Sequence, residues 1–162
     1  MDPAGFLKGR TRETTILRDA EGRWFHDGEP LDHPNLTRAF DSWVELADDG
    51  RYCLKNDINW AYITLQGAAH FVRSLRIDGD DVYLSLSSGR EEKLAPQTLR
   101  QNEHDVLYCD VGGGRLSARF DRHAATQLSE LLGEDDDGVY VRIGGRRHRP
   151  PVVADPLAST QP

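Results

Sequence analysis

Residues 36–54 read LTRAFDSWVELADDGRYCL, and residues 124–142 read AATQLSELLGEDDDGVYVR. Shifted by 88 positions, Asp48-Asp49-Gly50 falls on Asp136-Asp137-Gly138, and Tyr52 falls on Tyr140. Phe40, Trp43 and Val44 fall on Leu128, Leu131 and Leu132. In each copy, apolar residues at helical spacing run into an acidic turn and then a strand bearing a tyrosine. The reading is an internal duplication: two related small α+β halves, packed together, with a seam of the kind that holds ligands.

Working outward, the first helix is marked by Pro34 at its first position, with Asp32 or His33 as the cap. Leu36, Ala39, Phe40, Trp43, Val44 and Ala47 form its buried stripe, and Asp48-Asp49-Gly50 ends it. The second helix is capped by Asp121, buries Ala124, Ala125, Leu128, Leu131 and Leu132, and stops at Gly133.

The remaining pattern is strand. Thr14 to Leu17, Tyr52 to Lys55 and residues 60–66 are strands, the last with Ala61, Ile63 and Leu65 on one face. Leu75 and Ile77 turn through Asp78-Gly79 into Val82, Leu84 and Leu86. Val106 to Val111 is a nearly continuous apolar strand, expected in the middle of a sheet. Gly112-Gly113-Gly114 turns it into Leu116 to Phe120, and Val139 to Ile143 is the last strand. Two helices among eight to ten strands make an α+β fold. The expected organisation is a flexible basic arm over 1–12, an N-terminal half over 13–72, a C-terminal half over 73–149 and a Pro-rich disordered tail over 150–162.

Composition narrows function. The chain has 162 residues and a formal net charge of −7. An acidic chain is not a general nucleic-acid binder, because phosphate contacts need clustered Lys and Arg. No apolar run has the length of a membrane span, and the start has no signal-peptide pattern, so a cytoplasmic protein is expected. Cys53 and Cys109 are read as reduced, buried thiols.

Catalytic motifs do not stand out. There is no GxSxG elbow and no HExxH. His26, Asp27, Glu29, Asp32 and His33 crowd one loop, which reads as a solvated turn with capping carboxylates rather than a metal site. Gly112-Gly113-Gly114-Arg115 lacks P-loop spacing and reads as a hairpin turn. Gly144-Gly145-Arg146-Arg147-His148-Arg149 reads as a fraying basic end balancing the acidic run Glu130, Glu134, Asp135, Asp136 and Asp137. No cofactor is expected.

Gly22-Arg23-Trp24-Phe25-His26-Asp27-Gly28-Glu29-Pro30-Leu31, the helix with Leu36 and Phe40, and Gly50-Arg51-Tyr52-Cys53-Leu54 together form a pattern. Val106-Leu107-Tyr108 and Leu116-Ser117-Ala118-Arg119-Phe120-Asp121-Arg122 complete it. Over residues 22–149 the chain resembles the bacterial family known as domain of unknown function 1285 (DUF1285), as a divergent member or a neighbouring family. Lys55-Asn56-Asp57-Ile58-Asn59 departs from that family's Thr-Pro-x-Glu-Lys-like stretch, and Ile143 stands where it has a serine. The resemblance implies a two-domain duplication with a C-terminal half loosely like a pleckstrin-homology fold. It also implies a nucleotide-like ligand between the domains and a signalling role.

The resulting expectation is a non-enzymatic module binding a small anionic, nucleotide-like ligand. Trp24, Tyr52 and Trp60 would supply stacking surfaces, and Lys55, Arg73, Arg119 and Arg122 would supply charge. A protein-interaction or scaffold domain is the alternative, and a hydrolase using the His26–His33 loop the third reading.

Overall fold

The computed structural model describes residues 12–158. The flexible arm expected over 1–12 therefore lies outside the described residues, except for Arg12. The chain divides into two compact units between Ala69 and His70. It is an α+β arrangement, mostly sheet, with two short α-helices among the described residues. No helix among those residues is long and apolar enough to cross a membrane.

The first unit runs β1 (Leu17–Arg18), β2 (Trp24–His26), β3 (Glu29–Pro30), α1 (Pro34–Trp43), β4 (Val44–Leu46), β5 (Tyr52–Lys55), β6 (Trp60–Tyr62) and β7 (Thr64–Leu65). One sheet has the order β3-β2-β1-β7, with β7 parallel to β1; the other is the antiparallel meander β4-β5-β6. The β2–β3 turn places Asp27 at φ 52° and Gly28 at φ 78°, the two left-handed residues that a tight hairpin turn requires. Leu36 and Phe40 point inward from α1, and Trp24 meets Phe40 edge-on at 5.3 Å.

Helix α1 departs from expectation at both ends. His33 occupies the cap position, yet neither it nor Asp32 supplies a side-chain cap. The helix stops at Trp43, not at the Asp-Asp-Gly turn, because Val44 and Leu46 pair with Leu54 and Tyr52. Apolar spacing alone could not separate a fourth helical turn from a short strand here. The acidic turn closes a hairpin instead, with Gly50 at φ 84°. Ala61 and Ile63 are buried as the alternation predicts, but the chain changes sheets at Ile63, between β6 and β7.

The second unit runs β8 (His70–Asp78), β9 (Asp81–Leu86), β10 (Glu91–Lys93), a 3-10 turn (Pro96–Thr98), β11 (Arg100–Gln101), β12 (Leu107–Val111), β13 (Leu116–Phe120), α2 (Arg122–Leu128), a second 3-10 turn (Ser129–Leu131), β14 (Leu132–Asp135), β15 (Gly138–Ile143) and β16 (Arg146–His148). Its main sheet has the order β10-β9-β8-β13-β12-β11, with β8 and β13 parallel. The apolar strand β12 thus lies next to the edge strand β11 rather than in the middle. Gln127 ties α2 to the sheet: its amide accepts from Leu75 N at 2.6 Å and donates to Leu75 O at 3.2 Å, just past a bulge between Val72 and Ser74.

Several readings are corrected here. Asp121 stands at the cap position of α2 but makes no side-chain cap; its carboxylate takes Arg73 at 2.8 Å instead. Helix α2 buries Ala124 and Leu128 while Ala125 is exposed, and Leu132 opens a strand rather than ending a helix. Gly133 lies inside β14. The basic end does not fray: Gly144 and Gly145, both at left-handed φ, turn β15 back into β16. Of the tail expected to be disordered over 150–162, residues 159–162 lie outside the described residues, and in the described part Val152 bridges Gln101 in parallel on the β11 edge.

Gly133 is required sterically. It faces Tyr140 across the ladder, and a Cβ built on it would come 2.4 Å from the Tyr140 hydroxyl oxygen and 2.5 Å from Cζ. Gly133→Ala must push the ring aside, and overpacking of this kind costs about 1–3 kcal/mol. Urea unfolding of the two forms checks this, with Gly138→Ala as a control whose strain is in φ rather than in contact.

Candidate functional site

Alternation along the first strand sends Ile16 and Arg18 inward and Thr15 and Leu17 to the opposite face, with Asp19, itself buried, following Arg18. Phe25 stands directly opposite Leu17 on β2. Thr15, Leu17, Asp19 and Phe25, with Glu21, Arg23, Gly28 and Gln66, line a groove of about 440 Å³ that lies within the first unit. Leu17 and Phe25 make an apolar floor between polar walls.

One wall is built by Asp19. Its Oδ1 accepts from the backbone of Glu21 at 3.1 Å and of Arg23 at 2.8 Å, and its Oδ2 from Arg23 Nε at 2.7 Å. Burial works to raise the Asp19 pKa, and the hydrogen bonds from Arg23 outweigh it, holding the carboxyl below its ordinary value. Arg23 is fixed at Nε and its Nη2 lies 3.9 Å from Glu21 Oε2, while its side chain stays 72% exposed at the rim. Thr15 Oγ1 donates to Asp27 Oδ1 at 2.6 Å, pinning the β2–β3 turn to the groove's other end.

The floor rests on a buried charge. Arg18 is 1% exposed. Its guanidinium donates to Asp41 Oδ1 at 3.0 Å and to the carbonyls of Ala68 and Ala69, each at 2.6 Å. Trp24 Nε1 donates to the same Asp41 oxygen at 2.9 Å, and Arg18 lies over the Trp24 ring at 5.2 Å. Trp24 is 3% exposed, so it is a core residue and not the stacking surface expected of it.

The other expected site residues fall into separate groups. Lys55 and Trp60 are cross-strand partners on the β5–β6 ladder, and Tyr52 is half-buried opposite Leu46. Arg12 stacks on Trp60 at 4.6 Å and hydrogen-bonds Asn59 and the Trp60 carbonyl. Arg51 stacks on Tyr62 at 3.6 Å while both its terminal nitrogens hold Glu13. In the second unit Arg73 pairs with Asp121 and lies over Phe71. Arg119 is registered against both Tyr108 and Phe71, and Arg122 is exposed at the first position of α2. None of the seven lines the groove. The signal that would have found it was the Thr15-Leu17-Asp19 alternation, visible only once the strand is extended past Leu17.

Other anion candidates are filled by the chain's own carboxylates. The Gly112 N–H donates to both oxygens of Glu92, at 2.9 and 3.1 Å. Arg147 meets Asp135 at 2.6 Å, Arg149 joins the same oxygen, and both arginines cover the Tyr140 ring. Among the described residues no three His, Cys, Asp or Glu side chains are grouped to hold a metal ion, and His26 Nε2 lies 3.6 Å from Asp27. Cys53 and Cys109 are free thiols, both buried. Burial pushes Cys109 up to about 12, so it is a poor nucleophile at neutral pH.

Two outcomes follow. Asp41→Ala removes the carboxylate from the buried Arg18 guanidinium and should cost about 3–5 kcal/mol in denaturant unfolding. The Arg149 hydrogen bond, opposed by desolvation and helped by Arg147, holds Asp135 at about 2 against an ordinary 3.8. A depressed carboxyl stabilises above its unfolded pKa, and that contribution fades as pH falls from about 3.8 towards 2. Carboxyl NMR should place the Asp135 midpoint near 2, and Arg149→Ala should move it upward.

No family model and no curated protein matches the chain. Two solved structures do. A DUF1285 family protein from Silicibacter pomeroyi DSS-3 aligns with a TM-score of 0.65 at 18% identity, covering 99% of this chain and 88% of that one. A DUF1285 family protein from Shewanella baltica OS155 aligns with a TM-score of 0.56 at 17% identity, covering 72% of this chain and 91% of that one. The resemblance read in the sequence is matched by a likeness in structure: the chain has the fold of these DUF1285 family proteins.

Proposed function

We propose that this chain is a non-enzymatic binding module and that its seat is the groove of the first unit. The observation that carries this reading is the apolar floor of Leu17 and Phe25 set beside the exposed guanidinium of Arg23. That pairing suits a small, flat, anionic molecule: a nucleotide-like ligand would lay its ring on Phe25 and turn its acid group to Arg23. The Trp60 and Tyr62 rings are the weaker choice, because Arg12 and Arg51 already lie over them. The groove's polar groups suit holding rather than reacting, since Asp19 is tied by three hydrogen bonds and Thr15 by Asp27. The signalling role implied by the resemblance is consistent with a binder of this kind.

The proposed duplication is supported by architecture. In each unit a helix leads into a three-stranded antiparallel meander, directly in the first and through the 3-10 turn Ser129–Leu131 in the second, and the meanders start 88 residues apart, at Val44 and Leu132. The pleckstrin-homology likeness proposed for the second unit draws on its six-stranded sheet and the single helix packed on it.

A protein-interaction role is the second reading. Leu132 and Val139 are 49% and 58% exposed on the β14–β15 hairpin, and β14 is an edge strand.

Calorimetry against a panel of nucleoside mono- and diphosphates tests the first reading. A binder should emerge whose affinity falls about tenfold in Phe25→Ala, the loss of one aromatic contact worth about 1.4 kcal/mol. Arg23→Ala should weaken it further and flatten its salt dependence. Binding that survives both substitutions unchanged would refute the groove. A partner protein lost on Leu132→Glu and Val139→Glu, with no nucleotide bound, would favour the second reading.

A further inference from the structure

Strand β11 is only Arg100 and Gln101, and its outer side is occupied by the chain's own segment 150–158. Gln101 N donates to Pro151 O at 2.9 Å, and Val153 N donates to Gln101 O at 2.8 Å. The Gln101 side-chain amide donates to Pro150 O at 3.0 Å. Arg100 Nε donates to Pro156 O at 2.7 Å. These are the contacts of a strand added in parallel to a sheet edge.

The far side of the seat is rigid. Arg100 is 1% exposed, its Nη1 donates to Thr98 O at 2.9 Å, and its Nη2 faces Asp110 Oδ1 at 2.8 Å as an ion pair rather than a straight hydrogen bond. Thr98 Oγ1 in turn accepts from Asp110 N at 3.0 Å. A guanidinium held on two sides presents its Nε outward in a fixed direction, ready for a carbonyl.

The segment itself is held weakly. Four hydrogen bonds return about 1 kcal/mol each. Ordering nine residues costs roughly 1 kcal/mol or more apiece, less at Pro150, Pro151 and Pro156. Val152 remains 63% exposed, so side-chain burial adds little at the bridge. With so few contacts to oppose that entropy, opening of the segment is far cheaper than unfolding the β12–β13 ladder.

We infer that the β11 edge with Arg100 is a docking seat for an extended, proline-containing peptide of a partner protein, occupied by residues 150–158 until that peptide displaces them. The occupant's chemistry is read from the segment now in place. The seat takes a carbonyl, an amide two residues later, and a carbonyl three further on that reaches Arg100. Recognition is through the backbone, and proline suits the positions whose N–H the seat does not use. This site lies in the second unit and is independent of the groove.

Amide exchange on the full chain tests it. In the wild type, Gln101 and Val153 amides should exchange at least about a hundredfold faster than those of the β12–β13 ladder, by opening of the segment alone. Val153→Pro removes one donor and should speed Gln101 exchange further while the ladder is unchanged. A synthetic peptide of residues 149–158, RPPVVADPLA, at millimolar concentration should restore Gln101 protection in that variant. The same peptide carrying Val153→Pro should not. If the variant does not fold, the peptide added to the wild-type chain should speed exchange at Val153. The inference is overturned if Gln101 exchanges only with the ladder, or if the peptide leaves both chains unchanged.

Discussion

Arg18 carries a full charge in a place water does not reach, and the first unit is arranged around making that tolerable. An unpaired buried guanidinium would be strongly destabilising, so its donors must all be met. Asp41 comes from α1, the two carbonyls from the stretch after β7, and Trp24 from β2 shares the Asp41 oxygen. One side chain therefore fixes where the helix, the parallel strand and the neighbouring strand sit on β1. The groove is a consequence: with Ile16, Arg18 and Trp24 turned inward, alternation leaves Thr15, Leu17 and Phe25 no face but the outer one.

The second unit repeats the device with different parts. Arg100 and Asp110 are both 1% exposed in their side chains, and the carbonyls of Thr98 and Pro156 accept from Arg100 Nη1 and Nε. Elsewhere the arginines are spent on the surface. Arg51, Arg73, Arg76, Arg147 and Arg149 each hold a carboxylate. A chain of net charge −7 has enough acid to occupy its own base. Surface pairs of this kind contribute little stability, but they set which cations are left to meet a ligand. Arg23 differs in exposure rather than in pairing: Asp19 holds its Nε and Glu21 lies 3.9 Å from its Nη2, yet its side chain is 72% open to solvent.

Much of the architecture was legible. Pro34 marked the first helical position, Asp78-Gly79 the hairpin, and the triple glycine the turn that follows β12. Each of these signals is local, a backbone requirement written at one or two positions. Helix ends were not legible, since Val44 and Leu132 continue the helical stripe and only pairing with Leu54 and Val141 turns them into strands. The same holds for segment 150–158, whose composition reads as disordered until β11 supplies an edge. The site was hidden for a related reason. Residue type alone points to the aromatic and basic side chains, yet burial claims Trp24 and neighbouring arginines cover Trp60 and Tyr62.

The sequence similarity between residues 36–54 and 124–142 does not extend to how the two hairpins close. At an offset of 88, Tyr52 and Tyr140 should do the same work, but the two meanders close differently. The first hairpin pairs Leu46 with Tyr52, leaving Ala47 to Arg51 as the loop. The second pairs Asp135 with Gly138, so only Asp136 and Asp137 turn. Leu132 then meets Val141, one place short of the position matching Leu54. A one-residue change of register exchanges faces. Tyr52, half-buried, shares a face with the fully buried Leu54, whereas Tyr140 shares one with exposed Arg142 and is itself buried beneath Arg147 and Arg149. That face also explains Gly133, which leaves room for the ring. The two acidic turns therefore share an origin in hairpin closure rather than a common ligand, and the halves are free to carry different seats: a groove on the first and a strand edge on the second.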